Sequence, residues 1–111
     1  MVSYTQLPDN PVNGTILAMT GASVERCDLS DREIMITRIA ALAATGAPAL
    51  SYALNTGAAA EAGLTLEEAQ GVLVAVAPII GTARTVAASE EIAEGLRLRI
   101  ALIEADIDGE D

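Results

Sequence analysis

The chain has 111 residues, which is enough for one domain with a modest hydrophobic core. Its 16 acidic residues against 6 basic ones give a formal net charge of −10, which excludes nucleic acid and anionic membrane surfaces as partners. One cysteine and no histidine exclude an internal disulfide framework and the usual zinc ligand sets, so we expect no metal and no other cofactor.

The apolar part of the composition is unusual because it is built from small side chains. Apolar residues make up 51 % of the chain, yet aromatic residues make up 2 %. Small side chains such as alanine bury little area each, so a monomer would have a thin core. We therefore expect the apolar faces to be completed by further copies of the chain.

The N-terminal quarter carries weak structural signals. Residues 1–11 are predicted to form an irregular arm, because P-D-N-P is a turn cluster. The arm lacks the basic and apolar regions of a signal peptide, so we expect a cytoplasmic protein. Residues 12–26 are weakly helical, and Gly14 and Gly21 argue against one continuous helix.

Two capping boxes predict helix starts. Ser30 is followed three residues later by Glu33, and Thr65 by Glu68, so each pair can satisfy two free backbone N–H groups. Arg38, at the margin of the first helix, could line a pocket or lie on the surface in an ion pair.

Residues 39–60 form an uncharged stretch that we interpret as two helices meeting at a corner. Gly46 suits the left-handed position that ends a helix, and Pro48 suits the first turn of the next one. Ser51 and Asn55 are four residues apart and should therefore share one helix face.

The same stretch also has about the ~20-residue length of a membrane span. It contains threonine, serine, asparagine, glycine and proline, so it would make a poor apolar rod in lipid. We therefore expect no membrane span.

The C-terminal half is predicted to be helical, with two interruptions. Pro78 lies in a very apolar run and predicts a kink or break before Gly81. Gly95 is where a second break would fall, and residues 104–111 are expected to form a frayed acidic tail. L-R-L-R-I-A-L-I also fits a strand, but no other strong strand could pair with it. The predicted inward face of the last helix consists of Val86, Ala93, Leu96, Ile100, Ile103 and Ile107.

These elements add up to four or five helices with short loops, which is an all-α helical bundle in a single domain, residues 1–111.

Three segments also carry a family resemblance: L-S-D-R-E-I-M-I-T-R-I-A-A-L-A, then a helix ending A-A-A-E-A-G-L-T-L-E-E-A, then G-V-L-V-A-V-A-P-I-I-G-T-A-R-T. In this order they resemble the carboxymuconolactone decarboxylase family, which includes the alkyl hydroperoxidase D-like proteins. The resemblance covers residues 29–96. It implies a family-like core over residues 30–96 and a homotrimer or homohexamer.

The resemblance also implies where the family's reactive groups would lie. Peroxidase-type members have C-x-x-C and then His on the second helix, with Glu on the preceding helix. Here those positions hold Pro48, Ser51, Asn55 and Ile36, so a thiol peroxidase mechanism is excluded in this register. Decarboxylase-type members have Glu and His where this chain has Ser51 and Asn55. No residue there titrates near neutral pH to move a proton.

Five polar residues remain ligand-binding candidates around that helix face. Ser51 and Asn55 could bind a ligand through hydrogen bonds, and an asparagine can also stabilise an oxyanion. Arg38 or Arg84 could pair with a carboxylate, and Tyr52 could donate a hydrogen bond from its hydroxyl group. Structural roles are the alternative: Ser51 and Asn55 within a helix contact, and Tyr52 packed at a subunit contact.

Three readings of the function stay open from the sequence. The first is a divergent family enzyme, a lyase, that binds or converts a small anionic or carbonyl-bearing metabolite. The second is a non-catalytic helical oligomer that retains the scaffold for binding or interaction. A third reading is an acidic partner protein that acts through residues 104–111.

Overall fold

The computed structural model of the chain describes residues 8–109, except for the side chains of residue 102 and residues 105–109. The described part is helical, with no strand, which confirms the all-α prediction. The helices are α1 (Pro11–Arg26), α2 (Asp31–Thr45), α3 (Ala49–Glu61), α4 (Leu66–Ile80) and α5 (Thr82–Gly109). Helices α2 to α5 pack on one another, whereas α1 contacts them lightly and buries no residue.

Both predicted capping boxes are present. The Glu33 N–H donates to Ser30 Oγ at 3.2 Å, and the Ser30 N–H donates to the Glu33 carboxylate at 2.9 Å. Thr65 and Glu68 make the same reciprocal pair at the start of α4. The hydrogen bond with the Ser30 backbone, and to a lesser extent that with the Ser30 side chain, holds the pKa of the Glu33 carboxyl below its usual value.

The corner between α2 and α3 follows the prediction closely. Gly46 ends α2 with φ of 70°, a left-handed conformation that glycine adopts without strain. Pro48 is the N-cap of α3 rather than a residue of its first turn. Helix α3 then ends at Glu61.

The core consists of two small clusters. The first joins α2, α3 and α4, and the second joins α2, α4 and α5. The most completely buried residues are alanines, with Ala43 1 % and Ala53 0 % exposed. No large side chain among the described residues is fully buried, so the core is thin, as the composition indicates.

The predicted inward face of α5 is only partly correct: Leu96 and Ile103 are half-buried, whereas Ala93 is exposed. Val86 is 53 % exposed and Ile100 48 % exposed, and the side chain of Ile107 lies outside the described part of the chain. The buried residues of the described part of α5 are instead Ala88 and Gly95, with half-buried Ile92 between them. Small residues face inward because α5 lies very close to α3.

Gly95 shows this close approach directly, and no break falls there. A Cβ atom at Gly95 would lie 2.8 Å from the Ala49 carbonyl oxygen, 2.8 Å from Tyr52 Cβ and 3.1 Å from the Ala53 nitrogen. The glycine is therefore a contact point between two helices, and α5 passes through it unbroken.

Three further expectations about interruptions change. Helix α1 is continuous through Gly14 and Gly21, and Pro11 begins it, so of residues 1–11 only 8–10 are described outside a helix. Helix α4 continues through Pro78 to Ile80, although the proline has no N–H to donate to the Val74 carbonyl, and it ends before Gly81, whose φ is 90°.

The C-terminal segment is helical rather than strand-like. The L-R-L-R-I-A-L-I stretch lies within α5, as preferred from the sequence. Residues 104–109 of the predicted frayed tail continue the same helix. Within the described residues, no single helix has the length and apolarity of a membrane span. Helices α3 and α4 meet those criteria only as a pair bent by 118°.

Candidate ligand-binding site

A cavity of about 200 Å³ lies where α2, α3, α4 and α5 meet. Its walls are mostly aliphatic side chains contributed by all four helices. The apolar wall residues are Ile39, Ala59, Ala60, Leu64, Leu66, Ala69, Ile92 and Leu96, and the polar ones are Tyr52, Asn55, Thr56, Thr65 and Arg99. The cavity is thus an apolar space with a few polar groups at its edge, as is typical of small-molecule sites.

Tyr52 forms the wall between this cavity and a second one. Its side chain is 5 % exposed, and its hydroxyl is buried without a hydrogen-bond partner among the described residues. The second cavity, about 260 Å³, lies beside the α2–α3 corner and is also lined by Pro48 and Glu91. Burial, and to a lesser extent the negative charge of Glu91, raises the pKa of the Tyr52 hydroxyl. The hydroxyl therefore remains neutral and can donate a hydrogen bond.

Arg99 is the polar wall residue that the sequence did not single out. Its Nε is buried, and within the described residues no acceptor lies within hydrogen-bonding distance. Other arginines on the bundle have partners: Arg32 pairs with Glu68, and Arg97 pairs with Glu94 at 2.9 Å. Arg99 therefore brings to the wall of an apolar cavity a cation that has no acidic partner among the described side chains.

The error in the inward face of α5 explains why Arg99 was missed. An apolar face drawn through Val86 and Ile100 turns Arg99 away from the core. The true inward positions follow helical spacing but combine small, apolar and charged residues: Ala88, Ile92, Gly95 and Arg99. Gly95 and Arg99 are four residues apart and therefore share a helix face, but hydrophobicity alone does not identify that face as the inward one.

Asn55 is buried and lines both the 200 Å³ cavity and a groove beside α1. It is 7 % exposed, and its Nδ2 donates to the Ser51 carbonyl at 2.7 Å, so the predicted shared face of these residues is present. Asn55 also lines a groove of about 300 Å³ beside α1 together with Arg38. Arg38 Nη2 donates to Ser23 Oγ of α1 at 3.2 Å. Two sequence candidates, Arg38 and Asn55, therefore lie in one groove.

The remaining candidates lie elsewhere. Arg84 Nη1 donates to the Ala44 carbonyl at 2.7 Å, so this exposed arginine caps the C-terminal end of α2. Ile36 packs against the first core cluster. Of the four positions implied by the family resemblance, Pro48 lines the second cavity and Asn55 the first.

The described wall of the 200 Å³ cavity suits binding better than proton transfer. It carries no carboxylate, thiol or imidazole. Within the described residues no three His, Cys, Asp or Glu side chains form a group that could hold a metal ion. No protein-family model, curated protein or solved structure matches the chain.

Proposed function

We propose that this protein is a divergent member of the carboxymuconolactone decarboxylase family that binds or converts a small anionic or carbonyl-bearing metabolite. Thiol peroxidase activity is not part of the proposal, because the family's cysteine positions hold Pro48 and Ser51. The observation that carries the proposal is the 200 Å³ cavity among α2–α5. A cavity of roughly 150 Å³ can hold benzene, so this one suits a single ring or a short chain.

The composition of the wall favours binding over conversion. General acid–base catalysis needs a group whose pKa lies near the working pH. The described wall offers Tyr52, Asn55, two threonines and Arg99, none of which normally changes charge near neutral pH. A lyase reaction would have to use these groups to orient the substrate and stabilise charge.

A cavity-filling substitution tests the proposal. Ala59 lines the cavity and is buried, so Ala59→Leu should fill it and abolish the binding of small ring compounds. Ala58→Leu makes the same change on an exposed position of the same helix and should leave binding intact. Ligand-observed NMR with benzoate and benzaldehyde measures binding, and mass spectrometry of the recovered compounds detects conversion. Unchanged binding to Ala59→Leu, with circular dichroism matching the wild type, would contradict the proposal.

The alternative is a non-catalytic helical oligomer that acts in binding or interaction, and the exposed apolar surface favours self-association. The exposed large apolar residues include Val12 and Met19 of α1, Val74 and Ile79 of α4, and Val86 and Ile100 of α5.

Helix α1 supports the same reading. It buries no residue, and it carries exposed Ile16, Leu17 and Val24 in addition to Val12 and Met19. Such a helix gains little from its own bundle, so packing against another copy would stabilise it. A homotrimer or homohexamer in the cytoplasm is the assembly we propose, and the same assembly is compatible with a ligand-binding cavity in each subunit.

A further inference from the structure

We infer that Arg99 is the anion-binding residue of the 200 Å³ cavity, and that the ligand is a small monocarboxylate with an apolar body. This inference rests on the proposed function, because it assumes that the cavity binds a small molecule. It adds the residue that selects the ligand and narrows the ligand class from anionic or carbonyl-bearing compounds to carboxylates.

The first step is the missing partner of Arg99. The chain has 16 acidic residues for 6 basic ones, so an arginine has many acids with which to pair. Arg99 nevertheless makes no ion pair within the described residues, and its Nε is buried without an acceptor. A buried donor without an acceptor is unfavourable, so a ligand oxygen that accepts from it would bind favourably.

The second step is the match between the cation and its surroundings. The guanidinium is planar and presents its N–H groups in a fork that fits the two oxygens of a carboxylate. The wall of the same cavity also includes the apolar side chains of Ile92 and Leu96 on α5 and of Leu64 and Leu66. A highly hydroxylated or multiply charged compound would find few partners there. A ring or short alkyl chain bearing one carboxylate fits both the guanidinium and the apolar wall of the cavity.

The test compares benzoate with benzamide, which has nearly the same shape and no charge. Dissociation constants are measured by NMR titration at neutral pH for the wild type, Arg99→Gln and Arg97→Gln. Arg97 lies two residues away on α5, is exposed and pairs with Glu94, so its substitution removes the same charge outside the cavity.

The wild type and Arg97→Gln should both bind benzoate more tightly than benzamide. Arg99→Gln should weaken benzoate binding about 10-fold to 100-fold, the usual range for losing a hydrogen bond to a charged group, and leave benzamide binding unchanged. Arg99→Lys keeps the positive charge and should restore part of the preference. Circular dichroism confirms that each variant is folded.

Three results would overturn the inference, and they differ in whether the proposed function also fails. If benzoate and benzamide bind the wild type equally, or if Arg99→Gln keeps the preference, Arg99 does not select the ligand, while the proposed cavity still stands. If neither compound binds the wild type, both the inference and the proposed function fail.

Discussion

A methyl group added to Gly95 would lie 2.8 Å from the Cβ of Tyr52, so these two residues set how closely α5 approaches α3. Tyr52 also lines the cavity on the α3 side, and Arg99 lines it one turn beyond Gly95. The glycine therefore fixes the distance between the two helices that carry the main polar groups of the candidate site.

The first prediction concerns this contact. Gly95→Ala should lower the free energy of unfolding by about 1–3 kcal/mol, because the new methyl group meets backbone atoms that cannot move aside easily. The gain in helix propensity, about 1 kcal/mol, only partly offsets this cost. Urea denaturation measures the change.

Gly71→Ala is the matched control for that substitution. Gly71 lies inside α4, is exposed and has no atom within 4 Å of the added Cβ. It should therefore raise the free energy of unfolding by about 0.5–1 kcal/mol through helix propensity alone. Equal effects of the two substitutions would show that α3 and α5 do not pack as described.

A second prediction uses the buried hydroxyl of Tyr52. Because this hydroxyl has no partner among the described residues, Tyr52→Phe should raise the free energy of unfolding by about 1 kcal/mol. A destabilised Tyr52→Phe variant would mean that the hydroxyl has a partner in solution.

The raised pKa of Tyr52 gives a third prediction, with a definite sign. The folded chain keeps the hydroxyl protonated to higher pH than the unfolded chain, whose tyrosine has its ordinary pKa of 10.0. This contribution to stability is intact below pH 10.0 and is lost as the pH rises through the folded value. The difference in free energy of unfolding between Tyr52→Phe and the wild type should thus widen as the pH rises above 10.0, measured by urea denaturation at a series of pH values. A constant difference would refute the raised pKa.

The fourth prediction concerns the capping box of α2. Glu33 has a lowered pKa, so its contribution is present above its unfolded pKa and is lost as the pH falls through the folded value. Ser30→Ala removes the hydroxyl, so the Glu33 pKa should rise towards its ordinary value in an NMR titration of the side-chain carboxyl. The lost cap should also lower the free energy of unfolding by about 1 kcal/mol. An unchanged Glu33 titration would exclude the hydroxyl as a cause of the shift.

The fifth prediction tests self-association. Size-exclusion chromatography with light scattering should give the mass of a trimer or hexamer for the wild type. Ile79 of α4 is 86 % exposed, and Ile79→Glu should reduce the mass if this apolar surface lies between copies. Gln70→Glu, at an exposed polar position on the same helix, should leave the mass unchanged. A monomeric wild type would count against the oligomer.

The sequence predicted those features that local interactions determine. The caps at Ser30 and Thr65 and the turn at Gly46 depend on residues three or four positions apart, so short patterns reveal them. The helical state of α5 was also predictable, since the chain offers no strand partner. These signals were enough for the fold class and for the corner that precedes α3.

The inward face of α5 and the polar edge of the cavity were not predictable in the same way. In a chain rich in alanine, hydrophobicity ranks Val86 above Ala88, although close packing with α3 requires the smaller residue inside. Local propensity likewise treats Gly95 as a breaker, whereas the tertiary contact makes it a packing residue. Arg99 was missed for the same reason, because its role depends on which face of α5 points inward.

The alanine-rich core also has a calorimetric consequence. The heat-capacity change on unfolding grows with the apolar area that becomes exposed, and a core whose most buried residues are alanines exposes little. The free energy of unfolding of a single chain should therefore vary only gently with temperature, with a broad melting transition. Association would bury more apolar area per chain, so the transition should sharpen and move upward as protein concentration increases.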